Sequence, residues 1–493
     1  MGGHGGSFRL YIPESEKKGN VRRDEMERWG IPLLSDLSEA GPNDCLASMD
    51  GFGTNGKGTA LKALQSLGKA TPWYMNVSSR AVMSLSAEEI ERRLRREGLP
   101  ARIGDEGREG TRIQVTVWGL EAVGMKRVRS AGTSKTMKIN EVKYRRFSTF
   151  ASEQDIIPQE HPIWKPAERL SVRAIYALGL DFGQATIRLS DSGTICVTGI
   201  SSVWPRISDE VQATRLRDLL QLHADRWEKE SGSEVHATLG ADPEFVLLSP
   251  SGRIVSASKF FAPEDDAGCD SVRLRGEKIW PLVELRPRPT PDPMSLTADV
   301  RRLLRVAAER TAGTLFSWHA GAMPVRGLPL GGHIHLSGVE LTGERLRALD
   351  NAVGLPLRLL EPPAAGKRRP RYGTLGDVRR QPHGGFEYRT PPSWLVSPRL
   401  TLGAFALAKA AAEHSRELAA SRPLDDDGVR DAFYEGDRTV LLPAVEAVYR
   451  AIQDTEIYAA HRAAIDFVFD AIARGRSWNE NADIRLKWHI PIR

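Results

Sequence analysis

Four short stretches of this 493-residue chain set titratable or charged side chains two residues apart. That spacing constrains the fold more than any other feature, because residues i and i+2 share a face on a β-strand and diverge on a helix. The stretches are Asp242-Pro243-Glu244, Glu284-Leu285-Arg286, His333-Ile334-His335 and Glu387-Tyr388-Arg389. Ile334 and Leu336 alternate with the histidines, and Gly331, Gly332 and Gly338 bracket them, leaving room for close approach of a ligand or another backbone. Pro243 removes a ladder donor, which predicts an edge strand, a strand start or a bulge. Taken singly, each pair is an ordinary polar strand face. Four strands turning such pairs toward one cavity would form a charged funnel that only metal and anionic ligands justify.

Composition narrows the classes around that pattern. With 41% hydrophobic and 27% charged residues, the chain reads as globular and long enough for two or three cores. No apolar run approaches a membrane span, and the glycine-rich start has no signal-peptide character, so no membrane partner is expected. Cys45, Cys196 and Cys269 lie far apart without metal-ligand spacing, and a reduced, cytoplasmic location is the expectation. A net charge of +6 suits small anionic ligands and is too dispersed for nucleic acid. The basic stretch 125–146 has almost no interleaved aromatics and reads as the solvated face of a hairpin. Gly51-Phe52-Gly53-Thr54-Asn55-Gly56-Lys57-Gly58 satisfies GxGxxG and nearly a P-loop. Gly58, however, stands where the P-loop needs its hydroxyl, so a plain flexible loop is expected.

Along the first half, strands are expected at 8–12, 30–34 and 111–118, and a helix opening on the capping box Ser86-Ala87-Glu88-Glu89. A helix over about 167–178 then leads through Gly179-Leu180-Asp181-Phe182-Gly183 into a hairpin with strands 185–189 and 195–200. This order resembles the closing part of ATP-grasp ligase domains, whose hairpin strands hold Mg²⁺ through acidic residues and an asparagine. Gln184-Ala185-Thr186-Ile187 and Val197-Thr198-Gly199-Ile200-Ser201 carry no carboxylate. The resemblance therefore implies a shortened α/β ATP-grasp-like domain over 1–207 without its metal site. An amphipathic helix, 208–233, is expected to link it to a second domain.

Beyond the helix, Gly240-Ala241-Asp242-Pro243-Glu244-Phe245, Val283-Glu284-Leu285-Arg286-Pro287, Gly331-Gly332-His333-Ile334-His335, Arg371-Tyr372-Gly373 and Phe386-Glu387-Tyr388-Arg389-Thr390-Pro391-Pro392 succeed one another. In this order and spacing they resemble the phage-type carboxylate–amine ligases (amidoligases) of the glutamine synthetase and glutamate–cysteine ligase superfamily. The resemblance implies an α+β catalytic domain over 234–404, a curved and largely antiparallel sheet backed by helices, with a helical tail, 405–493, packed on it. It implies an ATP- and Mg²⁺-dependent ligase joining a small-molecule or peptide acid to an amine through an acyl phosphate. Glu244, Glu284, His333 and Glu387 become the metal-site residues. His335 falls near ATP, Arg286 and Arg389 near phosphate or the acid, and Arg371 and Arg379 near the transferring phosphate. The residue types suit that chemistry: carboxylates offer hard oxygen ligands and arginines a planar fork for oxyanions.

Two other functions compete. A metal-dependent hydrolase could use the same His/Glu set, but the chain has no HExxH spacing and several arginines suited to phosphate. An inactive phage- or spore-associated binding or assembly protein could keep the fold alone. Turnover of ATP with release of phosphate separates these readings. Oligomeric state and the identities of acid and amine are not written in the sequence.

Overall fold

A computed structural model describes residues 6–12, 21–48, 72–105, 110–128, 155–202, 204, 209–274, 276–382 and 384–492. The glycine-rich stretch 51–59 and most of the basic stretch, 129–146, lie outside them. The chain divides into two compact units, Met1–Ser233 and Glu234–Arg493. Among the described residues no helix is long and apolar enough to cross a membrane.

In the first unit, strands β1 (Phe8–Tyr11), β2 (Leu33–Leu34), β3 (Cys45–Ser48) and β4 (Trp73–Tyr74) form a parallel sheet in the order β2-β1-β3-β4. A separate antiparallel sheet, β6-β5-β7-β8, contains β5 (Thr111–Trp118), β6 (Glu121–Val128), β7 (Phe182–Leu189) and β8 (Ile195–Ser201). Helix Trp164–Ala177 buries Ala167, Leu170, Ala174 and Ile175, a spacing of three and four that gives one apolar stripe against this sheet. Helix Ala87–Arg96 starts where Ser86 Oγ accepts from the Glu89 amide at 3.2 Å, half of a capping box. Helix Glu210–Ser231, expected as a linker, packs into this unit. It buries Gln212, Leu216, Leu220 and Trp227, and the Trp227 indole donates to the Asn43 carbonyl at 2.8 Å.

The second unit is α+β. Strands β10 (Glu244–Leu248), β11 (Ile254–Val255), β12 (Ala267–Leu274), β13 (Glu277–Leu285) and β14 (Ser317–His319) form one antiparallel sheet, with β10 at the centre between β13, β11 and β14. Strands β9 (Thr238–Ala241), β15 (Ile334–Ser337), β16 (Val378–Arg380) and β17 (Phe386–Tyr388) form another, ordered β16-β17-β15-β9. Residues 238–248 thus form two strands in two sheets, broken at Asp242-Pro243. Proline has no N–H to continue the β9 ladder, so the chain changes partners there. The seam stays bonded: the Asp242 amide donates to His333 O at 3.3 Å, Glu244 to Gly331 O at 3.0 Å and Leu285 to Pro243 O at 3.1 Å.

Helices back both sheets. Helix Pro293–Arg310 begins at Asp292, whose carboxylate caps two amides, and buries Leu296, Val300, Leu303, Leu304 and Ala307. Helix Pro398–Glu413 runs unbroken through the expected domain limit at 404 and presses Gly403 against Val468 of helix Glu456–Ala473. The last residues fold back within the unit: Arg485 caps Phe316 O at 2.5 Å and the buried Trp488 indole donates to Leu395 O at 2.6 Å. The segment from Asp483 to Trp488, which alternates in sequence, is a short helix, Ile484–Trp488. Trp488→Ala lowers unfolding free energy by about 3–5 kcal/mol, the usual cost of emptying a buried aromatic site. Denaturant unfolding measures this, and an unchanged midpoint would show the tail to be dispensable.

Candidate active site

Switching sheets at Pro243 sends neighbouring carboxylates to different places. Asp242 joins His333 and Glu387, whereas Glu244 joins Asp270 and Glu284; within each trio the potential ligand atoms lie within 4.8 Å of one another. The four residues expected to share a metal site therefore divide two and two.

Cross-strand register builds the first trio. His335 lies opposite Glu387 on β17 and Gly240 on β9, and Glu387 lies opposite Arg379 on β16. His333 Nδ1 stands 3.1 Å from Asp242 Oδ1 and 3.2 Å from Glu387 Oε1; His335 Nε2 stands 3.3 Å from Asp242 Oδ2. Gly331 makes room for the His333 ring, since a Cβ there would collide with it. Glu387 is fully buried and also meets Arg379, Arg389 Nε at 3.1 Å and Gln381 Nε2 at 3.0 Å. Strand β17 is pinned from behind, where the Tyr388 hydroxyl donates to Asp350 Oδ1 at 2.8 Å. Asp350 opens a π-helical turn, Asp350–Gly354, between helices Gly343–Leu349 and Leu355–Leu360.

The second trio rests on the β10–β13 pairing, which sets Glu244 directly opposite Glu284. Glu284 in turn faces Gly268 of β12, and Asp270 lies two residues further along, before a register shift. Glu244 accepts from the Gly331 amide at 2.7 Å, tying this trio to the strand that leads to the histidines. Arg286 pairs with Glu284 and donates to Asp265 O at 2.7 Å, in space that a side chain at Gly268 would fill.

Electrostatics distinguish the two groups. Burial lifts the Glu244 carboxyl to about 7; burial, and then the Asp242 charge, lifts Glu284 to about 8. Burial opposes a charged His333, but Asp242 and Glu244 outweigh it and raise the imidazole to about 9. Burial likewise opposes ionised Asp242, yet His333 and His335 hold it well below the usual carboxylate range.

Both trios suit divalent cations. Asp242 Oδ1, His333 Nδ1 and Glu387 Oε1 are buried and converge without a hydrogen bond between them, the arrangement expected of ligand atoms aimed at a common centre. Glu244, Asp270 and Glu284 offer three hard oxygens, the chemistry Mg²⁺ prefers. Beside them opens a cavity of about 630 Å³, lined by Glu244, Asp270, His333, Arg368, Arg371 and Arg389 among others. The Arg371 guanidinium lies 5.5 Å from the centre of the Tyr372 ring. Arg379, in contrast, reaches Glu387 from an exposed position and lies outside the cavity lining.

A model of the phage phiEco32-like COOH.NH2 ligase-type 2 family matches residues 239–490, just over half of the chain. The chain belongs to that family. Membership makes it an amide-forming ligase of the carboxylate–amine class. Comparison with curated proteins finds no match. Among solved structures, the COOH.NH2 ligase is similar to the ATP-grasp ligase PsnB complexed with a minimal precursor, at 13% identity and a TM-score of 0.30, over 44% of this chain and 98% of that one. It is similar to a bifunctional glutathione synthetase from Pasteurella multocida at 10% identity and a TM-score of 0.27, over 52% and 51%. A glutamine synthase homolog gives 16% identity and a TM-score of 0.27, over 60% and 78%. Likeness at these scores carries no argument about the ligase site.

Three residues of the COOH.NH2 ligase site escape sequence reasoning. Asp242 reads as half of a pair with Glu244, and only the change of sheet gives it separate company. Asp270 has no charged partner at i+2; it becomes visible once β12 is recognised as the hairpin partner of the Glu284 strand. Arg368 is hidden in the basic run Lys367-Arg368-Arg369, which reads as a solvated loop but is buried at Arg368 and Arg369.

Proposed function

We propose that this ligase moves the γ-phosphoryl of ATP onto a substrate carboxylate and that an amine then displaces phosphate. In the first step a carboxylate oxygen bonds to phosphorus as the bond to ADP breaks. In the second, nitrogen bonds to the acyl carbon, the carbon–oxygen bond to phosphate breaks, and nitrogen gives up a proton. The observation that carries this reading is the pair of converging trios bordering one arginine-lined cavity. Polyphosphate and carboxylate repel each other, so the chain's task is positioning and charge compensation rather than covalent attack.

Asp242, His333 and Glu387 would hold one Mg²⁺, and Glu244, Asp270 and Glu284 another. Bound there, a divalent cation would neutralise charge on the phosphate. Arg389, Arg371 and Arg286 orient phosphate or the substrate acid through forked donors. His335 stands toward the nucleotide, and Arg379 holds the Glu387 carboxylate in place from the sheet edge. The acid and the amine are small molecules or peptides, nucleic acid and membrane are not partners, and the location is cytoplasmic. No nucleotide metal site is assigned to the first unit, since hairpin strands β7 and β8 carry no carboxylate.

Phosphate release in the presence of ATP and Mg²⁺, screened across amino acids, amines and cell-wall peptides, tests this reading. Release above the ATP-only background is expected with one acid–amine pair and is abolished by chelation. Absence of ATP turnover in every combination would return the chain to a binding or assembly role.

A further inference from the structure

The segment 358–369 brings three guanidiniums and one carboxylate into the interior. Arg358, Arg368 and Arg369 are all buried, as is Glu361. Glu361 is taken by Arg369, through two parallel bonds of 2.7 Å each, with Arg358 at 3.5 Å. Arg358 further donates to Phe433 O at 2.8 Å, and Arg369 to Gly373 O at 3.0 Å. Among the described residues nothing comparable serves Arg368. Its Nε and Nη1 are buried without a hydrogen-bond partner, and the turn at Gly373 packs directly on the guanidinium. Burial and the adjacent Arg369 charge hold its pKa down to about 10 against the weaker pull of Glu361, Glu244 and Glu480, none of which hydrogen-bonds its Nε or Nη1. A cation kept so poorly compensated is costly unless something outside the chain completes it. Arg368 also lines the cavity with Glu244, His333, Arg371 and Arg389.

We infer that Arg368 is the buried receptor for the oxygens of the phosphoryl group, which becomes its missing counter-ion when the cavity fills. This rests on the acyl-phosphate reading above. Two considerations favour phosphoryl over a lone carboxylate. Five guanidiniums (Arg273, Arg326, Arg368, Arg371 and Arg389) and three carboxylates (Glu244, Asp270 and Asp377) border the cavity, an excess of positive charge that a phosphoryl group answers better than a single carboxylate. The Glu244 trio also borders it, so an anion there faces both a divalent-cation site and Arg368, as a phosphate with several free oxygens can. Arg371 is exposed and can be satisfied by water, and Arg389 Nε stands against the Glu387 carboxylate; Arg368 has neither.

Calorimetry on the full chain with inorganic phosphate at fixed Mg²⁺ tests the assignment, alongside thermal melts without ligand. Arg368→Gln weakens phosphate binding by at least about tenfold, Arg368→Lys by less, and exposed Arg450→Gln not at all. Without phosphate, Arg368→Gln melts at or above the wild-type temperature, because a buried unpaired charge has been removed; a merely structural arginine would give a lower one. Wild-type phosphate affinity in Arg368→Gln overturns the inference. So does a fall in its melting temperature, or Arg368-dependent binding of acetate with none of phosphate. Should Arg368→Gln fail to fold, that too counts as a structural role, and Arg368→Lys with wild-type affinity would confirm the failure. Wild-type protein that turns over ATP while Arg368→Gln keeps its phosphate affinity sinks this inference alone. Wild-type protein that never turns over ATP sinks the reading beneath it.

Discussion

Glu387→Gln raises the Mg²⁺ concentration needed for half-maximal turnover by roughly 10–100-fold, the range seen when a metal site loses a supporting group. Arg389→Lys leaves that requirement unchanged and lowers turnover itself by about 100-fold, because charge survives while the planar fork is lost. The two side chains sit two residues apart on and after β17 and touch, with Arg389 Nε 3.1 Å from Glu387 Oε1. Metal titrations of turnover separate them. Their stability effects also differ from what a crowded anionic cleft would give. In such a cleft Glu387→Gln would relieve repulsion. Its neighbours are instead Arg379, Arg389 and His333, so the substitution strips a counter-charge from cations and costs about 1–3 kcal/mol in metal-free protein. If both variants keep wild-type turnover and metal dependence, this cavity is not the active site.

Metal-free protein loses stability as pH rises from about 5 to 9, and Mg²⁺ restores most of it at the upper end. Glu244 and Glu284, raised in the fold to about 7 and 8, keep protons that the unfolded chain has released, so their ionisation penalty grows above pH 4.5 until they too ionise. His333, raised to about 9, contributes stability that is full below pH 6.5 and is lost as pH climbs through 9. Asp242 is held low, and its contribution disappears only in acid below 3.8. All the signs agree across the window. Together they lower Tm toward high pH. Glu284→Gln flattens the slope, since an amide has no proton to lose. Melts in chelator across pH, repeated with Mg²⁺, measure it. A flat metal-free profile would mean that burial does not hold Glu244 and Glu284 protonated.

Legibility of the fold and the site in the sequence depends on how local each signal is. The histidine strand and the Glu387 strand announce themselves because alternation is a property of four consecutive residues. The sheet switch at Pro243 is half visible: the proline forbids an uninterrupted strand, but which sheet each side joins depends on Gly331 and His333, some ninety residues away. Asp270 depends entirely on pairing between β12 and β13, and a register shift beside it scrambles the parity that would have exposed it. Arg368 is misread for another reason. Basic runs are usually solvated, but here buried Glu361 takes Arg369 inward, and Arg368 is buried beside it without a hydrogen-bond partner for its Nε or Nη1. The π-helical turn between helices Gly343–Leu349 and Leu355–Leu360, which anchors Tyr388 through Asp350, has no sequence marker.

Because Asp242 and Glu244 leave the backbone on either side of a single proline, the gap between the two trios is a covalent length. Two Cα–Cα steps span at most about 7 Å, whatever happens in the loops around them. Insertions at 323–330 or 371–377 can widen the mouth of the cavity and admit different acids and amines without stretching that gauge. Deleting or adding one residue at Pro243 would instead shift both trios at once. A scaffold made this way is free to vary what it joins and held fast in how it activates it.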